Sequence, residues 1–166
     1  NFISKSTEAN IWHRHVLDSA QLVKFIDFSK SSLSDLGSGA GFPGLVIAIF
    51  NENKDFHVKL YEKSPVKRAF LEEISKRLSI RVEIKGDIYD EIVDADYIVS
   101  RAFKKLEAVI QVSREIVKKS HKLIVLKGQN AHEDIKKAFK RKKYAYKLED
   151  SITNKDSKII IVDLKK

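Results

Sequence analysis

The segment DLGSGAGFPG, from Asp35 to Gly44, constrains the fold of this chain more than any other feature. A strand-like stretch at 32–36 leads into it, and a helix-like stretch at 43–50 begins with Pro43, a residue that suits the first turn of a helix. The glycines permit tight turns and let a ligand approach the backbone closely. The segment therefore predicts a strand-turn-helix unit with a ligand at the turn.

The spacing of the glycines distinguishes between cofactors. A nicotinamide or flavin fingerprint, G-x-G-x-x-G, would place its third glycine at position 42, where this chain has Phe42. The spacing here is G-x-G-x-G, at Gly37, Gly39 and Gly41 after an acid, which is the pattern of class I methyltransferases. Glu62 ends the next predicted strand, about 20 residues past the glycines, as expected for a carboxylate that binds ribose hydroxyls. Either feature alone is more often structural, but together they favour a nucleoside cofactor.

Strand-like and helix-like stretches alternate along the chain. We predict strands at 32–36, 56–61, 81–84, 97–100, 122–126, 143–148 and 158–164. We predict helices at 8–26, 43–50, 65–78, 106–117 and 133–139. This alternation indicates an α/β, Rossmann-like class I fold with a mostly parallel, doubly wound sheet and a C-terminal antiparallel hairpin. We expect one methyltransferase domain over 1–166, with an N-terminal flanking helix in 1–30 and the Rossmann-like core in 31–166.

Two of these helices have apolar residues at helical spacing, which predicts their buried faces. In the helix over 8–26 the apolar residues are Ile11, Trp12, Val16, Ala20 and Val23. In the helix over 65–78 they are Val66, Ala69, Phe70, Ile74 and Leu78.

Charge and missing residue types limit the function. The net charge of +9 favours a polyanionic partner. The sequence has no cysteine, which excludes disulfides, thiolate metal sites and cysteine nucleophiles. No apolar run approaches the roughly 18 residues that span a bilayer, and no signal-peptide pattern is present, so we expect a cytoplasmic protein without a membrane partner. Because methionine is absent and the chain begins at Asn1, we expect a further segment upstream.

Four segments, in this order, resemble the bacterial ribosomal RNA small subunit methyltransferase G family, also called the glucose-inhibited division protein B family. They are HVLDS at 15–19, DLGSGAGFPG at 35–44, SRAF at 100–103 and LKG at 126–128, and the resemblance covers nearly the whole chain. It implies an enzyme that transfers methyl from S-adenosyl-L-methionine to the 7-position nitrogen of a guanine in the 530 loop of 16S rRNA, conventionally guanine 527. The implied partner is 16S rRNA or the small ribosomal subunit, and we expect a monomer without a metal ion.

The resemblance also implies roles for the glycine segment. Gly37 and Phe42 would contact the methionine part of the cofactor, and Ser38, Gly39 and Gly41 would form the rest of the cofactor-binding turn.

Further along the chain, Ile88 and Tyr89 would lie beside the adenine, and Arg101 would complete that pocket. The family often has arginine where this chain has Asp87, and it often begins with a longer helical N-terminus. We therefore assign no substrate role to Asp87.

Methylation of this guanine nitrogen needs no general base, because an existing lone pair attacks the methyl carbon and the base becomes cationic. Positioning alone can supply roughly 7–11 kcal/mol. Arg101 and Lys127 follow predicted strands, and ligands gather beyond the carboxyl ends of such strands, so both are predicted catalytic-site residues. The alternative for Arg101 is that it only ties down a neighbouring loop through a salt bridge. A cysteine nucleophile and an Asn/Asp-Pro-Pro-aromatic motif, which other base methylases use, are both absent.

Two remaining features are less specific. His13 and His15 lie two apart on a predicted helix and make a poor metal pair. The basic run at 136–144 could grip phosphates and stack on bases, or it could be a solvated helix end. The alternatives to the implied function are a methyltransferase for another RNA site or a small molecule, and a catalytically inactive RNA-binding module. A nicotinamide oxidoreductase ranks lower because of the glycine spacing.

Overall fold

A computed structural model describes residues 9–101, 103–140 and 144–166. The strands in this part of the chain are β1 (Ser32–Leu36), β2 (His57–Tyr61), β3 (Glu83–Lys85), β4 (Tyr97–Arg101), β5 (His121–Lys127), β6 (Ala145–Asp150) and β7 (Lys158–Leu164). The helices begin with α1, which consists of three consecutive pieces, Trp12–Leu17, Asp18–Ala20 and Gln21–Phe25. They continue with α2 (Gly44–Ile49), α3 (Pro65–Arg77), α4 (Leu106–Ile116) and α5 (Ala131–Ala138), and a short helical turn covers Ile88–Asp90.

The strands form one mixed sheet in the order β3-β2-β1-β4-β5-β7-β6. Neighbouring strands from β3 to β5 are parallel, whereas β7 is antiparallel to both β5 and β6. The predicted parallel sheet and C-terminal hairpin are both confirmed. The order differs from the dinucleotide-binding order 3-2-1-4-5-6 because β7 lies between β5 and β6.

Apolar residues on the two faces of the sheet form two clusters. On one face, Ile98, Leu123 and Val125 pack with residues of α4 and α5. On the other face, Leu33 and Leu60, together with residues of β4, β5 and β7, pack with residues of α1, α2 and α3. Helices on both faces leave the carboxyl ends of β1, β2 and β4 open at one edge.

The register of the strands aligns the predicted site residues at that edge. Leu36 at the end of β1 pairs with Tyr61 and with Ser100. Gly37 and Glu62 follow these paired positions directly, and Arg101 pairs with Leu126 on β5. The chain crosses from β3 to β4 on the other side of β1, so the edge is also the topological switch point where ligands bind in open sheets of this kind.

The predicted buried face of the first helix is wrong. Trp12 is 76% exposed, and the buried residues of α1 are Ser19, Gln21 and Leu22. Trp12–Leu17 has wide π-helical turns and Gln21–Phe25 has tight 3-10 turns, so the rotation per residue departs from the 3.6-residue period on which the prediction depended. Residues 1–8, where the helix was predicted to begin, lie outside the described part.

The predicted face of α3 is rotated by part of a turn. Val66 and Leu78 are exposed, and the fully buried side chains are Leu71 and Ser75. Phe70 and Ile74 pack against the core as predicted. The other elements lie within about two residues of their predicted bounds, which is ordinary at element ends. No described helix is both long enough and apolar enough to span a bilayer.

Candidate active site

The glycine turn leaves β1 and is held against β2. The backbone N–H groups of Gly37 and Ser38 both donate to Tyr61 O, each at 2.9 Å. Gly37, Gly39 and Gly41 have φ values of 74°, 57° and 93°, a region that favours glycine. A Cβ at Gly37 would lie 2.6 Å from the Phe103 ring, whereas one at Gly39 would meet nothing closer than 3.9 Å. The backbone at Gly39 is therefore open to a ligand.

The acid at the start of the segment ties the turn to α2. Asp35 is fully buried, and its Oδ2 accepts from Gly44 N at 2.9 Å. Burial raises the pKa of Asp35 to about 7, against the lowering by its hydrogen bonds. A Cβ at Gly44 would lie 2.7 Å from Asp35 Oδ2, so glycine is needed for this contact. Asp35 faces the protein interior and acts here on the turn.

Glu62, at the end of β2, is 7% exposed and contacts the turn directly. Its Oε2 accepts from Gly39 N at 3.0 Å, and its Oε1 accepts from Ser64 N at 2.8 Å, just before α3. An ionised carboxylate can accept about four hydrogen bonds, so about two remain available to a ligand. Glu62 thus orients the turn and can also bind ribose hydroxyls.

A first cavity of about 420 Å³ opens beside Glu62. It brings together four of the predicted cofactor residues, Gly37, Glu62, Ile88 and Tyr89. The sequence prediction gave no cofactor role to three others, Asp87, Phe103 and Lys104. Only Phe103 had a signal in the sequence, as the last residue of the SRAF segment.

The residues of this first cavity suit the groups of S-adenosylmethionine. The open backbone at Gly39 and the spare acceptors of Glu62 lie on one side. Ile88 is buried and provides an apolar wall for a purine. Asp87 Oδ1 accepts from Tyr89 N at 3.2 Å and shapes the short turn that carries both residues.

Tyr89 and Lys104 meet at the rim of the first cavity. Tyr89 is 54% exposed, and Lys104 Nζ donates to its hydroxyl at 2.7 Å. The same ammonium lies 5.1 Å from the centre of the Tyr89 ring and 5.3 Å from that of Phe103, distances that allow cation–π attraction.

A second cavity, of about 360 Å³, contains the two predicted catalytic residues, Arg101 and Lys127. Lys127 Nζ lies 2.9 Å from Asp134 Oδ2 and donates to Lys104 O at 3.2 Å. Because Lys104 lines the first cavity, this hydrogen bond connects the walls of the two cavities. The remaining lining includes residues of α1 and of the turn between β6 and β7.

Arg101 lies with Lys127 rather than with Ile88 and Tyr89. Its Nη1 donates to Arg14 O at 3.2 Å and lies 3.9 Å from Asp18 Oδ2. Its guanidinium is 5.3 Å from the centre of the Phe42 ring. Burial lowers the pKa of Arg101, which the nearby Asp18 opposes. Arg101 therefore fixes α1 near the site and also faces the second cavity.

Phe42 connects the glycine turn to α1. The His15 ring stacks on the Phe42 ring at 5.1 Å between centroids and 25° between planes. Arg101 lies near the same ring. Phe42 thus lies against residues of the second cavity, and it does not line the first.

The remaining sequence features have mainly structural surroundings. The described residues contain no group of three or more side chains able to hold a metal ion. In the basic run, Phe139 packs against Tyr144 and Tyr146, with ring centroids 5.6 Å and 4.8 Å apart. Residues 141–143 of that run lie outside the described part of the chain. Base stacking by Phe139 would compete with this packing.

The fold matches solved S-adenosylmethionine-dependent methyltransferases. One from Aquifex aeolicus superposes with a TM-score of 0.72 at 10% identity, covering 96% of this chain and 94% of its own. An O-methyltransferase from Thermotoga maritima gives a TM-score of 0.68 at 17% identity, covering 90% of this chain and 65% of its own. Fold and site together define this molecule as a Rossmann-like protein of the S-adenosylmethionine-dependent methyltransferase class.

Sequence comparison gives the family. The model of the rRNA small subunit methyltransferase G family matches residues 1–160. The ribosomal RNA small subunit methyltransferase G of Pelagibacter ubique is 34% identical, covering 100% of this chain and 80% of its own. The protein of that name from Rickettsia typhi is 36% identical over 98% of this chain and 84% of its own. The chain belongs to the rRNA small subunit methyltransferase G family.

Proposed function

We propose that this chain transfers the methyl group of S-adenosylmethionine to the 7-position nitrogen of a guanine in the 530 loop of 16S rRNA, conventionally guanine 527. Family membership supports the reaction. The observation that carries the proposal is the presence of two adjoining cavities at the open edge of the sheet. One suits a nucleoside cofactor, and the other is lined by three cationic side chains, Arg14, Arg101 and Lys127.

In this proposal the first cavity holds the cofactor. Glu62 binds the ribose hydroxyls, and Ile88 and Tyr89 lie beside the adenine. The glycine turn, Gly37 to Phe42, faces the methionine part. When bound, S-adenosylmethionine supplies a methyl group on a positively charged sulfur, which makes the methyl carbon electrophilic.

The residues of the second cavity hold the guanine so that its nitrogen faces the first cavity. No side chain has to remove a proton, because the attacking nitrogen has a lone pair and no hydrogen. Arg101 and Lys127 contact the RNA and fix its position. Ordered positioning of this kind can lower a barrier by roughly 7–11 kcal/mol, so the chain needs no acid–base pair at this site.

The proposal extends to the protein's surroundings. The partner is 16S rRNA or the small ribosomal subunit, whose phosphates suit the net charge of +9. We propose a monomeric, single-domain enzyme that works in the cytoplasm without a metal ion.

The proposal is tested by incubating the purified chain with methyl-labelled S-adenosylmethionine and RNA from cells that lack this modification. Separate reactions contain free 16S rRNA, small subunits, and 23S rRNA as a control. We expect label in 7-methylguanosine from 16S rRNA or small subunits and none in 23S rRNA. Label in another nucleoside would favour a different RNA site, and cofactor binding without transfer would favour an inactive RNA-binding module.

A further inference from the structure

The HVLDS segment contributes a carboxylate to the second cavity, and nothing above gives it a chemical role. Asp18 is the one acidic residue among the described residues that line this cavity, beside the cationic Arg14, Arg101 and Lys127. Its side chain is 16% exposed, so it is available from the cavity.

The two oxygens of Asp18 have different surroundings. Oδ1 accepts from Gln21 Nε2 at 2.8 Å, from Thr153 Oγ1 at 2.7 Å and from Ser151 Oγ at 3.2 Å. Within the described residues Oδ2 has only Arg101 Nη1 nearby, at 3.9 Å, which is beyond hydrogen-bond length. Oδ1 is therefore occupied, and Oδ2 has lone pairs available to a ligand.

The proposed reaction restricts how guanine can be recognised. Arginine and lysine usually bind guanine through N7 and O6, but here N7 must be free to attack. The base has to be recognised at its opposite edge, where guanine presents two adjacent donors, N1–H and the 2-amino group. Adenine presents an acceptor at N1, which a carboxylate would repel.

We propose that Asp18 Oδ2 accepts hydrogen bonds from N1–H and the 2-amino group of the target guanine, and so selects guanine in the second cavity. This inference rests on the proposed function. A flipped base is commonly recognised by hydrogen bonds to this edge. With the edge held at Asp18, N7 on the far side of the base is free to face the cofactor cavity.

The network around Oδ1 fixes the carboxylate in place. Gln21 also donates to Ser151 Oγ at 3.0 Å and accepts from Ile152 N at 3.0 Å. These bonds join α1 to the turn between β6 and β7, which are more than 100 residues apart in the sequence. The acceptor therefore has a fixed position before the RNA arrives.

The test pairs an enzyme variant with a substrate variant. Reconstituted small subunits contain either guanosine or inosine at the target position; inosine keeps N7 and N1–H but lacks the 2-amino group. For the unsubstituted protein, we expect inosine to reduce kcat/KM for methyl transfer by about 10-fold or more, since a hydrogen bond to a charged group contributes about 1.5–3 kcal/mol.

The enzyme variant is Asp18→Asn. Its amide oxygen can keep the three donors of Oδ1, which places an NH₂ donor where Oδ2 stood. We expect cofactor affinity and melting temperature close to those of the unsubstituted protein, transfer to guanosine subunits reduced at least 10-fold, and little further loss with inosine. Asp156→Asn, an exposed acid in the same turn that does not line the cavity, is the matched control and should behave as the unsubstituted protein does.

The outcomes are distinguishable. Equal transfer to guanosine and inosine subunits by the unsubstituted protein would overturn this inference alone. So would an Asp18→Asn protein that still discriminates between them. If that variant did not fold, the inosine comparison with the unsubstituted protein would still decide. Absence of transfer to guanosine subunits would overturn the proposed function and this inference with it.

Discussion

Replacing Glu62 by glutamine separates the two tasks that the structure gives this residue. The carboxylate accepts from Gly39 N at 3.0 Å and from Ser64 N at 2.8 Å. A glutamine has only one acceptor oxygen, so one of these two N–H groups would face an NH₂ group instead. Leaving a buried donor without a partner costs about 1–3 kcal/mol. We expect the free energy of unfolding to fall by about this amount without any ligand present.

Cofactor binding should fall separately. The proposed bond from a ribose hydroxyl to Glu62 is charge-assisted, and loss of the charge should weaken binding by about 1–3 kcal/mol, the range also expected for Glu62→Ala. This corresponds to a Kd about 5- to 100-fold higher. Urea unfolding gives the first quantity, and calorimetry with S-adenosylmethionine gives the second.

The control is Glu72→Gln on the exposed side of α3, which removes the same charge away from the cavity. Glu62→Gln with unchanged cofactor affinity would show that Glu62 only holds the turn. Unchanged stability as well would contradict the hydrogen-bonding account of Glu62 altogether.

Three further predictions follow from particular residues. Gly37→Ala should destabilise the protein by about 2–4 kcal/mol in urea unfolding, since it combines a positive φ with a Cβ 2.6 Å from Phe103; Gly128→Ala, where nothing lies within 4 Å of the added Cβ, should leave stability within about 0.5 kcal/mol, and equal effects would refute the clash. Arg101→Lys should keep the melting temperature but sharply reduce transfer to small-subunit RNA, because lysine lacks the planar fork of donors; full activity would exclude the proposed role, and loss of folding would leave Arg101 as a tie to α1. Because the pKa of Asp35 is raised to about 7, above its unfolded value of about 3.9, folding takes up a proton between these values, so stability should fall as the pH rises from about 4 to about 7; unfolding curves of Asp35→Asn should lose this part of the slope, and an unchanged slope would contradict it.

The glycine turn and Glu62 could be predicted from the sequence because local rules determine them. Glycine spacing, the acid before it and the strand-end carboxylate all lie within one strand-turn-helix unit, so no long-range contact had to be inferred. The alternation of strands and helices similarly predicted the parallel sheet and the hairpin.

Other features depend on contacts that a sequence pattern does not contain. The buried face of α1 was wrong because its turns are not 3.6-residue turns, which left Trp12 exposed. The separation of Arg101 from Ile88 and Tyr89 depends on how β4, α1 and the turn after β3 meet. The role of Asp18 depends on Ser151 and Thr153, more than 100 residues away.

The single-domain organisation stays a prediction, as do the individual roles of the cofactor-binding residues. Binding measurements on the variants above would test those roles residue by residue.

The most direct test of the central claim is to map the methylated base. Small subunits treated with the purified chain and S-adenosylmethionine are reduced with borohydride and cleaved with aniline, which cuts RNA at 7-methylguanosine, and the cut is located by primer extension. We predict a single new stop at the guanine of the 530 loop, which disappears when the cofactor is omitted. A stop at another guanine, or incorporated methyl label without cleavage, would contradict the assignment of substrate and reacting atom.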